Sequence, residues 1–220
     1  MASPTVRRVR IGIAICIVAA SLLGVITEDV VNHESLTRFD DRVLEALHQR
    51  TTPAGVAIFT MISSVASPLT MTMVALGGVF VLAWRREWIV LGGWVAAFSG
   101  AALIDYWLKL VIHRPRPSYA AALMPQATWS FPSGHAMGSL VGYGMLAYVL
   151  CLLATCNHRT RLWIVAGAAV VIVAIGVSRL YLGVHYFSDV VGGYAAGAIW
   201  LFACVSAVEL ARRWRRRAET

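Results

Sequence analysis

The chain has 220 residues, a length that suits one domain, and it is 59% hydrophobic with only 14% charged side chains, far from a soluble average. That balance predicts an all-α integral membrane protein. The net charge of +8 does not point to a nucleic-acid partner, because the basic residues, all Arg except Lys109, sit in short clusters between apolar segments, where they orient a membrane protein.

Arg7, Arg8 and Arg10 precede an apolar run from Ile11 to Thr27, which is at the lower edge of the length that crosses a bilayer. A cleaved signal peptide competes with this reading, but no small-x-small cleavage site follows and Glu28-Asp29 come at once. A first transmembrane helix is expected. Residues 28–50 are mostly polar, and within them Leu36, Phe39, Val43, Leu44 and Leu47 recur at helical spacing. They predict an interfacial helix along the membrane surface, with an ordinary helix capping the domain as the alternative.

The run from Gly55 to Trp84 is long for one span and contains Pro68, so its helix is expected to kink or to begin well inside the run. A third span, Trp88 to Ile112, ends with Asp105 and Lys109. Residues 113–134 form a polar, proline-containing loop in which Trp129 is placed as an interfacial anchor. Spans four, five and six are expected over His135 to Thr155, Leu162 to Val177 and Tyr186 to Val208, followed by a basic tail over residues 211–220. Gly134, Gly138 and Gly142, and again Gly193 and Gly197, recur every four residues, which predicts close helix packing.

The Arg clusters at residues 7–10, 85–86, 159–161 and 212–217 all fall on one face if six helices cross the membrane. The positive-inside rule then places both termini in the cytoplasm and the remaining polar islands outside. Cys16, Cys151, Cys156 and Cys204 lie in or beside apolar runs without Cys-x-x-Cys spacing and read as small core residues. No spacing of His, Cys and acids suits zinc, and the acids are too scattered to cage magnesium. No metal or cofactor is expected.

The polar islands carry the chemistry. Lys109 stands seven residues before Arg116-Pro117, then come Pro132-Ser133-Gly134-His135, and then Ser178-Arg179 with His185 and Asp189. Charged groups this close to a bilayer are costly and usually functional. Lys109, Arg116 and Arg179 supply the positive charge that phosphoryl transfer requires. Ser133 and Gly134, where the fourth span begins, can turn backbone N–H groups and a hydroxyl toward a phosphate. Asp189, four residues after His185, can reach its imidazole if the chain is helical there.

These three motifs, in this order and in a chain of this hydrophobic layout, resemble the type 2 phosphatidic acid phosphatases, whose phosphate site is shared with vanadium haloperoxidases. The resemblance implies a single membrane-embedded phosphatase domain over residues 1–220 with six transmembrane helices in one bundle. It implies His185 as the nucleophile that forms a phosphohistidine, Asp189 as its orienting acid, and His135 as the acid that protonates the leaving oxygen and then activates water. Lys109, Arg116, Ser133, Gly134 and Arg179 would bind phosphate. His33, His48, His113 and His158, outside the motifs, read as structural. Two neighbours are left open: Arg114 either helps hold phosphate or faces water, and Asp105 either pairs with Lys109 or faces solvent.

The expected reaction is removal of a terminal phosphate from a membrane lipid at the outer face of a cytoplasmic membrane. Undecaprenyl diphosphate is favoured, with phosphatidylglycerophosphate and phosphatidate behind it. Two other readings use the same residues: a catalytically silent lipid-phosphate binder or transporter, and vanadate-dependent peroxide chemistry. The complete His135, His185 and Asp189 set argues against silence, and the membrane-spanning layout argues against the soluble haloperoxidases.

Overall fold

The computed structural model describes residues 4–32, 35–119, 128–154 and 157–218, with side chains from Gly12 onward. The side chains of Arg7, Arg8 and Arg10, and residues His33 and Cys156, lie outside the described set. Eight helices, with no strand among the described residues, follow in order: α1 (Pro4–Asn32), α2 (Ser35–His48), α3 (Pro53–Ser64), α4 (Pro68–Trp84), α5 (Trp88–Ile112), α6 (Gly134–Leu153), α7 (His158–Tyr181) and α8 (Phe187–Ala218). They supply six segments long and apolar enough to cross a membrane, α3 and α4 together forming the second.

The first helix runs past the expected end at Thr27, and the overrun has a use. Asp29, now in its last turn, accepts the backbone N–H groups of Leu36 at 2.9 Å and Thr37 at 3.2 Å, so an acid of α1 caps the positive end of α2. The polar stretch expected as one element over 28–50 is therefore the end of α1 followed by α2. On α2 the buried residues are Asp40 and Leu44, whereas Phe39 of the expected apolar face is exposed and meets Phe187 edge to face at 5.7 Å. A buried acid at the centre of that face is the first departure from the apolar pattern.

Pro68 does more than kink the second span. Its missing N–H is harmless only in the first turn of a helix, and the chain breaks over residues 65–67, where the Ser67 hydroxyl accepts from Thr70 N at 3.2 Å to start α4. Thr52 and Pro53 start α3 the same way, Thr52 Oγ1 accepting from Gly55 N at 3.1 Å. The third span occupies the expected residues. The fifth and sixth are longer than their apolar runs, and the basic tail continues α8 as helix to Ala218.

The core lies between α4, α5, α6 and α8, where Leu82, Val90, Trp94, Met137, Val141 and Met145 are fully buried. Trp94 also donates its indole N–H to Ala75 O at 2.9 Å, tying α5 to α4. The outer surface carries Phe80, Trp84, Val111, Trp163 and Val170, as lipid contact requires, so association of the helices depends on close packing rather than on removing apolar area from water. The two glycine series differ in what they do. A Cβ on Gly193 would lie 2.7 Å from Ser133 O and one on Gly197 would lie 3.2 Å from Met137 O, so these glycines let α8 touch the backbone of α6. Gly138 has open space where its Cβ would be and lines a cavity, whereas a Cβ on Gly134 would lie 3.1 Å from Asp105 Oδ2 and one on Gly142 would lie 3.1 Å from Met71 Sδ, so these two also keep α6 close to α5 and α4.

Candidate active site

Arg116 follows the end of α5, where His113 adopts a left-handed conformation at φ 48° and turns the chain out of the helix. Its guanidinium is fixed by Thr128, through Nε to the carbonyl and Nη2 to the hydroxyl, both at 2.9 Å. Nη1 donates to Val184 O at 3.1 Å and lies 3.3 Å from His185 Nε2. Lys109, in the last turn of α5, donates to Asp105 Oδ1 at 2.5 Å and to Pro132 O at 2.8 Å. Asp105 thus pairs with Lys109, which resolves the alternative the sequence left open. Arg179, at the end of α7, is buried and donates from Nη1 to Ser63 Oγ at 2.5 Å.

His185 sits in the turn between α7 and α8, which Gly183 permits with a φ of 62°, a conformation that suits glycine. The ring is 2% exposed, and its Nδ1 lies 3.4 Å from Asp189 Oδ2. Asp189 falls in the first turn of α8 and receives three further donors. Tyr186 N reaches Oδ2 at 2.9 Å, Ser130 Oγ reaches Oδ2 at 2.5 Å, and Arg114 Nη1 reaches Oδ1 at 2.7 Å. Burial pulls the His185 imidazole down to about 4, against the opposing pull of Asp189 and with Arg179 and Arg116 adding to it. The ring is therefore held neutral, with its second nitrogen on the cavity side next to Arg116.

The loop before α6 brings Ser133 against α8, where its backbone N–H donates to Asp189 O at 2.9 Å. That amide is not available to a phosphate, contrary to the expectation that both Ser133 and Gly134 would offer theirs. The Ser133 hydroxyl is buried and has no hydrogen-bond partner. Gly134 and His135, in the first turn of α6, line the cavity, and the N–H groups of a first helical turn have no intrahelical acceptor.

Lys109, Arg116, His135, Arg179 and His185 thus converge on one cavity of about 510 Å³. Its other end is walled by Met71, Phe98, Ala101 and Val141, so one continuous space runs from three cations and two imidazoles to an apolar channel among α4, α5 and α6. Such a site can bind an anionic head joined to an apolar chain. It can stabilise charge spread over phosphate oxygens, and it sets a neutral imidazole with an orienting carboxylate beside that charge.

Four residues at the site were not picked out from the sequence. Ser130, Asp40, Ser188 and Ser63 carry no motif spacing and are brought in by tertiary packing. Arg114 takes neither of its two expected roles: it is buried and bonded to Asp189, Ser188 and Asp40. Of the histidines read as structural, His48 stacks on Tyr119 at 3.7 Å and His113 meets Trp129 edge-on at 4.8 Å. Among the described residues no group of His, Cys, Asp and Glu could hold a metal ion.

The model of the PAP2 superfamily matches residues 88–213, which include all three motifs. The chain is 33% identical over 154 residues to phosphatidylglycerophosphatase B of Bacillus subtilis, covering 69% of this chain and 74% of that protein. It is 30% identical over 126 residues to decaprenylphosphoryl-5-phosphoribose phosphatase of Mycolicibacterium smegmatis, covering 56% and 61% of the two chains. Among solved structures it is similar to a transmembrane PAP2-type phosphatidylglycerolphosphate phosphatase from Bacillus subtilis, with a TM-score of 0.77 and 26% identity over 90% of this chain and 96% of that one. This chain therefore belongs to the PAP2 superfamily, as a multi-pass membrane phosphatase.

Proposed function

We propose that the protein removes a terminal phosphate from a membrane lipid through a phosphohistidine on His185, with no metal or cofactor. The observation that carries this reading is the single cavity that joins Lys109, Arg116, Arg179, His135 and His185 to an apolar channel. The three cations hold the phosphoryl oxygens, with the Ser133 hydroxyl and the Gly134 backbone completing the phosphate site. The Nε2 lone pair of His185 attacks phosphorus and forms the N–P bond while the P–O bond to the lipid breaks. His135 gives its proton to the departing oxygen. Asp189 accepts from Nδ1 and supports the ring as it becomes cationic. His135 then takes a proton from water, the water oxygen attacks phosphorus, and the N–P bond breaks to release inorganic phosphate.

Phosphatidylglycerophosphate is the first substrate to test, because the 33%-identical relative carries that activity in its name. A polyprenyl substrate, of which undecaprenyl diphosphate is the leading case, is the second reading, and the relative named for a decaprenyl lipid favours it. The positive-inside distribution of the Arg clusters supports a cytoplasmic location for both termini, with the cavity on the extracytoplasmic side. Phosphate release by detergent-solubilised protein, measured in EDTA on phosphatidylglycerophosphate, undecaprenyl diphosphate and phosphatidate, ranks the substrates. Release from none of them by folded protein would refute the reading and favour lipid binding or vanadate chemistry.

A further inference from the structure

Asp40, on the helix that precedes the second span, is fully buried, 148 residues away in sequence from the serine it holds. Its Oδ1 accepts Ser188 N at 2.9 Å, and its Oδ2 accepts Arg114 Nη2 at 2.8 Å together with the Ser188 hydroxyl. Arg114 uses its other nitrogen on Asp189 Oδ1 at 2.7 Å and on Ser188 Oγ at 2.6 Å. Its planar fork thus joins two carboxylates in a way that a lysine ammonium, with a single nitrogen, could not reproduce. The guanidinium also lies over the Tyr186 ring at 4.1 Å, so the segment on either side of Asp189 is held on several sides.

We propose that Asp40 and Arg114 are positioning residues for the phosphatase reaction, acting through Asp189 on His185. Neither lines the cavity, and both direct their polar atoms to each other, to Asp189 and to Ser188, so the proposal gives neither of them a contact with substrate. The charge balance gives the pair its effect. Asp189 and Arg114 alone would cancel, leaving no net negative charge to support a cationic ring. Asp40 adds a second carboxylate, so the buried trio carries one net negative charge, which is neutralised only when His185 becomes cationic on accepting phosphorus. Arg116 and Arg179 oppose that cation from the other side, which makes the extra carboxylate count. The clamp also ties the amphipathic helix α2 to the first turn of α8, so the geometry at Asp189 depends on an element outside the three motifs.

The proposal rests on His185 and Asp189 being the reacting pair, and the test separates the two ideas. Asp40→Asn and His185→Ala are measured beside the wild type in detergent, with phosphatidylglycerophosphate and undecaprenyl diphosphate as substrates. For each protein, kcat, KM, inhibition by inorganic phosphate and the melting temperature are recorded. The proposal predicts that Asp40→Asn lowers kcat by roughly 10- to 100-fold, as loss of an orienting partner does elsewhere, with KM and phosphate inhibition within about threefold of wild type. Arg114→Lys, which keeps the charge and loses the fork, falls similarly. Ser188→Ala keeps all three charges and carries the test if Asp40→Asn does not fold; its kcat falls by roughly 3- to 10-fold at unchanged KM.

Full kcat in folded Asp40→Asn, or loss of folded protein in both Asp40→Asn and Ser188→Ala, overturns the positioning role. Full activity in His185→Ala instead overturns the site assignment on which it rests.

Discussion

Arg116 Nη1 stands 3.3 Å from His185 Nε2, which sets a permanent cation beside the ring nitrogen that faces the cavity. Together with burial, which is the larger effect, it keeps the imidazole pulled down to about 4. A nucleophile must be unprotonated, so the group is ready to react above that pH and is blocked below it. The acid limb of kcat/KM, which reports the free enzyme, is accordingly expected near pH 4. A limb near the ordinary imidazole value would contradict this. Stability follows the same sign: the unfolded chain takes up a proton on this histidine as pH falls below about 6.5, while the folded protein resists until about 4. The contribution of His185 to folding is therefore lost across that window.

Gly138 has open space at the position of a Cβ and lines the channel below the cations. Gly138→Leu is expected to fold, because nothing stands against the first added carbon, and to obstruct the apolar part of the channel. KM for a long-chain lipid phosphate should rise by roughly tenfold or more, while hydrolysis of a short-chain, water-soluble phosphate ester changes little. Equal losses on both substrates would show that the lipid chain does not lie there.

Gly193 is the opposite case, since its Cβ would sit 2.7 Å from the backbone carbonyl of Ser133. Backbone cannot give way as a flexible side chain can. Gly193→Ala should destabilise the protein by about 1–3 kcal/mol. It should also disturb the 2.9 Å bond from Ser133 N to Asp189 O. Thermal unfolding in detergent checks the first effect, and kcat of the surviving folded fraction checks the second.

Arg179 reaches Ser63 from a buried position at the end of α7 and also lines the cavity. Arg179→Lys keeps a positive charge but loses the planar fork that matches phosphate oxygens. A fall of roughly 10- to 1000-fold in kcat/KM is expected, with the protein still folded. Wild-type kinetics would remove Arg179 from the phosphate site.

Residues whose spacing carries meaning could be read from the sequence, and residues whose partners lie far along the chain could not. Lys109, Arg116, His135, Arg179 and His185 belong to motifs, and the structure brings them to one cavity. Pro68 announced a disturbance in the second span, although the extent of the break depends on Ser67 as a cap. Asp40 gave no such signal: it is one of six acids between Glu28 and Glu45, and an isolated acid in a polar stretch reads as solvated. Only folding shows that it meets Arg114 and Ser188. The spacing of Gly138 misleads for a related reason, since a small residue every four positions looks the same whether it admits a neighbouring helix or opens a channel.

The central claim is a covalent phosphoryl intermediate on His185, and rapid quenching tests it most directly. Protein mixed with lipid carrying a labelled terminal phosphate, then denatured in base within milliseconds, should hold label approaching one per active site. That label should be lost in acid, as an N–P bond requires, map to the peptide containing His185, and be absent from His185→Ala. Turnover with no trapped label under these conditions, or label on another residue, would contradict the account.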